Sequence, residues 1–158
     1  MAKPSFKSKN YHTEQVLELV HTNLCGPMGI ESTSGEKYYI LFVDDYSRMM
    51  TVMFLRNKSE TFQKFKWYLA RVEKETRKTL KCLRFDRGGE FVSNEFNEFC
   101  NERGIRRQMS APRTPQQNGI AERRKRSIID CERTLMIEKN VSRKYWREAV
   151  STAIHTLN

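Results

Sequence analysis

The sequence predicts an α/β layer fold on a mixed five-stranded sheet, three antiparallel strands followed by βαβ, with helices flanking it. Three observations carry this prediction. Three apolar, β-tending segments follow one another with no helical stretch between them. After Asn57 the hydrophobic spacing switches to three- and four-residue steps, and beyond that helices alternate with short strands. The 158 residues are enough for one domain with a real core, and 38% apolar against 30% charged residues describes a globular chain. No apolar run approaches the roughly 20 residues of a bilayer span, and no signal-peptide core follows Met1.

The elements follow in order. Residues 1–12, MAKPSFKSKNYH, are polar and basic without periodicity and predict a tail or linker. VLELVHTNL (16–24) predicts the first strand, and GPMGIESTSGEK is loop by composition. KYYILFVDDY (37–46) and RMMTVMFLRN (48–57) predict the next two strands. Phe62, Phe65, Leu69 and Val72 then mark one face of a helix, with Asn57 and Glu60 spaced as a capping box. LKCLRF (80–85) is a short strand ending at Asp86. SNEFNEFCNERG (93–104) is a helix with Ser93 as N-cap and Gly104 as C-cap, and IRRQM (105–109) a further strand. SAPRTPQQNG is loop. A helix runs from about Gly119 to Glu138, and a last one opens at Ser142 with Trp146, Val150, Ala153 and Leu157 on one stripe. It reaches Asn158 without a stop signal, which predicts a truncated element.

The formal charge of +10 is unevenly placed. Residues 101–158 hold 13 Lys and Arg against 6 Asp and Glu, whereas the first 100 hold 16 against 13. A basic C-terminal third points to a polyanion, nucleic acid before an anionic membrane. The four cysteines, 25, 82, 100 and 131, have no paired spacing and with three scattered histidines form no zinc pattern. They are expected to be packed, reduced thiols of an intracellular protein.

Two acids stand in unusual places. Asp86 ends a strand and precedes Arg87-Gly88-Gly89-Glu90, and Glu122 follows the TPQQNG loop in the first turn of a helix. A purely structural role is open to both, Asp86 closing a turn and Glu122 favouring a helix N-terminus. FDRGGEF and PRTPQQNGIAERRKR, in that order and separation, resemble the integrase cores of long-terminal-repeat retroelements. HTNLCGPM and YYILFVDDYSR narrow the resemblance to the copia-type (pseudovirus) branch. The resemblance covers residues 15–158. Residues 1–14 resemble the basic linker that follows the zinc-binding N-terminal domain of such polyproteins.

The resemblance implies a ribonuclease-H-like fold and a polynucleotidyl transferase that trims element DNA ends and joins them to target DNA. Two Mg²⁺ (or Mn²⁺) ions would be held by Asp, Asp and Glu. Carried onto this chain, the second Asp is Asp86, the Glu is Glu122, and the first Asp position holds Asn23. Carboxylates suit this task because Mg²⁺ demands hard oxygen ligands, and in-line displacement at phosphorus uses a pair of ions roughly 3.5–4 Å apart. An amide oxygen can still ligate, but three negative charges become two, so the resemblance implies an impaired enzyme. A hairpin centred near Ser34 would bring Asp44 and Asp45 close to position 23, where they are expected to be structural or to support the metal ligands.

The helix from Gly119 carries the DNA reading. At about 100° per residue Glu122, Arg126, Ile129 and Arg133 share a face with Lys125 at its edge, while Ala121, Ile128, Cys131 and Leu135 fall opposite and predict core. Lys125, Arg126 and Arg133 would hold phosphates without reading sequence, and Gln117 and Asn118 would touch DNA near the cleaved bond, as the family's loop does. A solvated face or a nuclear-import patch is the bland reading of Arg123–Arg126. The expected partners are element-end and target DNA and further copies of the chain, with no membrane and no small-molecule substrate, and the expected place of action is the nucleus. Two other functions stay open: a catalytically dead or domesticated nucleic-acid-binding remnant, which Asn23 favours, and a ribonuclease H, against which the TPQQNG-AER motif speaks.

Overall fold

A computed structural model describes residues 12–86, 88–110 and 115–158, the last segment with its side chains from Gly119 onward. The strands are β1 (Val20–Cys25), β2 (Tyr38–Asp44), β3 (Met50–Leu55), β4 (Cys82–Phe85) and β5 (Arg106–Met109). The helices are α1 (Thr61–Thr76), α2 (Asn94–Glu102), α3 (Pro115–Glu138) and α4 (Trp146–Leu157). They form one five-stranded sheet of order β3-β2-β1-β4-β5. The β1–β2 and β2–β3 pairs are antiparallel, and the β1–β4 and β4–β5 pairs are parallel. Parallel neighbours need crossover connections, and α1 and α2 supply them. The mixed sheet expected from the order of elements is the one observed.

Both faces of the sheet are covered. Phe65, Tyr68 and Leu69 of α1 and Phe96 and Cys100 of α2 pack with Val20, Phe42, Leu83 and Phe85 on one side. Ile128 of α3 and Trp146, Val150 and Ala153 of α4 pack with Cys25, Tyr39, Leu41 and Val43 on the other. That explains why β2 is apolar throughout rather than alternating. Local signals are where the spacing put them. The Glu60 carboxylate accepts the Asn57 amide at 2.7 Å, and Ser93 Oγ accepts Phe96 N at 3.2 Å.

Four expectations are corrected. The first strand starts at Val20, not residue 16, because Leu17 turns the chain at φ 64° and gives its amide to Asp44 Oδ1 at 2.8 Å. The C-cap of α2 is Arg103, and Gly104 follows it at φ +68°. Helix α3 begins at Pro115, four residues before Gly119, because a proline at the first helical position forgoes no hydrogen bond. The hairpin register places Asp44 opposite Val20 and Asn23 opposite Leu41, so Asp44 and Asp45 lie away from position 23. The turn tip does sit near Ser34, with Ser32 N bonded to Glu36 O. The excursion 26–31 on one arm, facing only Lys37 and Tyr38, shifts the pairing.

Candidate active site

The parallel pairing of β1 with β4 aligns His21 with Arg84 and Thr22 with Phe85. The next rung puts Asn23 level with Asp86, one residue past the end of β4. Alternation along both strands turns the two side chains to the face covered by α3 and α4, since Val20, Leu83 and Phe85 belong to the opposite core. Asn23 is buried, and its Oδ1 accepts a long hydrogen bond from Cys25 Sγ at 3.7 Å.

Helix α3 crosses this end of the sheet. Burial pushes the Asp86 carboxyl above its ordinary value, the Glu122 carboxylate raises it further, and Lys125 opposes both. The Cys25 thiol is likewise raised by burial, and the charges of Lys125, Asp86 and Glu122 all reach it. Asn23, Cys25, Asp86, Glu122 and Lys125 therefore form one electrostatic cluster. Among the described residues no three His, Cys, Asp or Glu side chains are grouped as a metal site. The donor set still suits a hard cation: one amide oxygen and two carboxylates, with a positive charge needed to relieve the repulsion felt by Asp86.

Glu122 is exposed, and it lies two turns inside α3 rather than in its first turn, so a helix N-terminus does not account for it. Arg126 and Arg133 are exposed as expected, and Ala121 and Ile128 are buried. Lys125 is half-buried at the edge of that face, on the flank between Ile128 and Glu122, near enough to the acids for its charge to reach Asp86. Cys131 and Leu135 are only partly buried. The side chains of Gln117 and Asn118 lie outside the described residues. Asp44 is structural: Oδ1 accepts Leu17 N and Oδ2 accepts Ser47 N, both at 2.8 Å. Asp45 accepts His21 Nε2 and Thr13 Oγ1, each at 2.8 Å.

The spacing of residues did not reveal a cleft of about 890 Å³ beside the cluster. Gly26, Pro27 and Met28 form one wall, and Lys125, Glu132 and Arg133 of α3 form another. The first wall is the same excursion that shifts the hairpin register. Helix α4 holds that loop: Trp146 Nε1 donates to Ile30 O at 2.8 Å, and Arg147 pairs with Glu36 at 3.0 Å. The one sequence signal for it was Gly-Pro just past Cys25.

Residues 14–115 match the Integrase core domain family. The chain is 43% identical over 154 residues to the retrovirus-related Pol polyprotein from transposon TNT 1-94 of Nicotiana tabacum, covering 98% of this chain and 12% of that protein. It is 30% identical over 156 residues to the corresponding polyprotein from transposon RE2 of Arabidopsis thaliana, covering 99% of this chain and 10% of that one. The chain thus spans about a tenth of the length of these relatives. Among solved structures, the HTLV-2 integrase catalytic core domain in complex with magnesium, dimeric form, matches with a TM-score of 0.64 at 20% identity, over 90% of this chain and 87% of that one. The simian T-cell lymphotropic virus intasome matches with a TM-score of 0.68 at 17% identity, over 90% of this chain and 48% of that one. These likenesses show the ribonuclease-H-like fold.

Proposed function

The chain belongs to the integrase core domain family, as the integrase part of a copia-type retrotransposon Pol polyprotein, and on that premise we propose that it is a metal-dependent DNA end-processing and strand-transfer core impaired at Asn23. The observation that carries the reading is the alignment of Asn23 with Asp86 on adjacent parallel strands, with Glu122 close enough to raise the Asp86 carboxyl.

In this reading Asp86, Glu122 and the Asn23 amide oxygen would hold Mg²⁺ or Mn²⁺. Bound there, a pair of such ions would activate the attacking water or 3′-hydroxyl and stabilise the leaving oxygen at phosphorus. The chain's own residues bind and orient the DNA. Lys125, beside the acids, takes a phosphate next to the scissile bond, and Arg126 and Arg133 take phosphates farther along α3 without reading bases. Asn23 donates no charge, so a cation shared with Asp86 is held weakly. The partners are element-end DNA, target DNA and other copies of the chain, and the place of action is the nucleus. The solved HTLV-2 cores, one dimeric and one trimeric, support the multimer by likeness.

Calorimetric titration of Mg²⁺ and Mn²⁺ into the chain and its Asn23→Asp counterpart tests the reading. The expected gain is roughly tenfold or more in affinity, the scale on which ligand charge tunes hard-cation sites. Metal-dependent joining of short element-end duplexes should rise with it. Equal affinities before and after the substitution overturn the metal site. Metal binding restored without joining favours the second reading, a nucleic-acid-binding remnant, which rests on the same Asn23.

A further inference from the structure

The FDRGGEF stretch holds a second acid, Glu90, that the acid cluster does not use. It lies in the short helical turn Gly89–Phe91, just past Asp86. Its side chain is only 14% exposed, and its Oε1 lies 3.4 Å from the Lys58 ammonium. A carboxylate so nearly buried needs a partner. Among the described residues Lys58 is the one cation within ion-pair distance of it. Lys58 opens the turn Lys58–Glu60 that leads into α1, and its ammonium also lies 5.9 Å from the ring centre of Tyr38, the first residue of β2. The other oxygen of Glu90 folds back on the loop, where a Cβ added to Gly88 would collide with Oε2. Gly88 has φ −157°, extended backbone open to any residue, so this close approach is what calls for glycine.

The loop that carries Asp86 is anchored at its far end. Phe91 stacks on Phe85 with ring centres 5.4 Å apart and meets Phe96 edge-on, and its carbonyl accepts Arg107 Nη1 at 2.9 Å. Between that anchor and Asp86 stand Gly88 and Gly89, which offer no side chain to pack and have the widest backbone freedom of any residue. Glu90 lies over this weak stretch and ties it to the turn before α1. Among the described residues the charges that reach the Asp86 carboxyl are those of Glu122 and Lys125, so Glu90 acts on it through the backbone. We infer that Glu90 is a positioning residue: its pairing with Lys58 holds the two-glycine loop and so fixes the Asp86 carboxylate beside Glu122 and position 23. The inference rests on the function proposed above for the role of Asp86 as a metal ligand. Groups that hold a metal ligand in place are worth roughly 10–100-fold in metal affinity. The same pair adds little to the stability of the fold, because Lys58 is 53% exposed and water screens it.

Mn²⁺ is titrated calorimetrically into the chain carrying Asn23→Asp, and into the same chain with Glu90→Gln, Lys58→Met or Gly88→Ala added. Each addition should lower Mn²⁺ affinity about tenfold. Gly88→Ala should do so without changing a charge, by displacing the Glu90 carboxylate. Melting temperatures close to the parent's are expected throughout and show that the variants fold. The metal-free chains give a second readout, the amide order parameters of Gly88 and Gly89. These should fall from about 0.85, the value of rigid backbone, toward roughly 0.6 in Glu90→Gln and Lys58→Met. A pair with a merely structural role would shift the melting temperature and leave Mn²⁺ affinity as it was, and that result overturns the inference. So do unchanged order parameters in both charge variants. Failure of the Asn23→Asp chain itself to bind Mn²⁺ overturns the function proposed above and the metal role inferred for Glu90 with it, while a fall in the order parameters would still establish its hold on the loop.

Discussion

Asn23 and Asp86 stand level on adjacent parallel strands, with their side chains on the same face of the sheet. Through Asp86 that rung meets Glu122 of α3, so a neutral amide and two mutually repelling acids share the end of β1 and β4. An intact carboxylate at position 23 would add a third like charge. Without metal the burial of Asp86 near a second acid weighs against the fold, and Asp86 should show this.

The first prediction concerns Asp86. Its pKa is raised, by burial first and by Glu122 second, so between the ordinary value of 3.8 and the raised one the folded chain binds more proton than the unfolded chain. Stability then falls as pH rises through that window and stays lower above it. Asp86→Asn should stabilise the apo chain at neutral pH, by less than about 1 kcal/mol because water screens a part-exposed carboxylate. Glu122→Gln should lower the Asp86 pKa. Urea midpoints at acid and neutral pH, with carboxyl NMR titration, measure both.

Lys125 and Arg126 are sequence neighbours with different surroundings, and that yields the second prediction. Burial raises the Cys25 thiol pKa, and Lys125 is the largest opposing influence. Lys125→Ala should therefore push the Cys25 pKa higher and slow its alkylation across the alkaline range. Arg126→Ala should leave it unchanged. Mass spectrometry of Cys25 alkylation against pH resolves the two, and equal effects would mean that Lys125 stands no nearer Cys25 than Arg126 does.

The third prediction separates Asp45 from the acid cluster. Burial pushes its carboxyl up, but hydrogen bonds from His21 and Thr13 outweigh that and leave the pKa lowered. The stability it supplies is present above the ordinary carboxylate range and is lost as pH falls through the lowered value. Asp45→Ala should cost about 2 kcal/mol at neutral pH, as loss of a buried charged hydrogen-bond partner does. Its effect on metal affinity should be nil, since Asp45 lies beyond the Val20 end of β1. Denaturation and calorimetry on the same variant check the two halves.

The sheet order was legible because the period of the hydrophobic pattern changes at Asn57 and each strand is bounded by turn residues. Asp86 and Glu122 were legible because each follows a loop motif. Register was not, because it depends on the six-residue excursion from Gly26, whose path is set by contacts with α4 such as Trp146 to Ile30. A helical wheel put Lys125 at the edge of the Glu122 face, and it lies there, between buried Ile128 and exposed Glu122; the depth of its burial depends on how closely the sheet approaches that flank, which a wheel does not fix. The start of α3 was hidden by Pro115, which marks a loop and a helix's first residue equally well.

The last prediction tests that excursion. Gly26 has φ +123°, and a Cβ added there would sit 2.7 Å from the carbonyl oxygen of Lys37, which is backbone and cannot swing away. Gly35, at the turn tip, has φ +87°, yet a Cβ there would meet only Arg56 Nε at 3.8 Å. Both alanine substitutions carry backbone strain, of order 1–3 kcal/mol for a sparsely populated conformation. Only Gly26→Ala adds a collision. It should therefore be the costlier of the pair by at least about 1 kcal/mol, the scale of an overpacked site. It should also move the Gly26–Met28 wall of the cleft while leaving the acids in place. Urea midpoints give the difference, and amide exchange of Met28, whose N–H bonds Lys37 O at 2.7 Å, reports the wall. Equal costs for the two variants would mean that the Gly26 wall yields freely, and that the hairpin register is held by the α4 contacts alone.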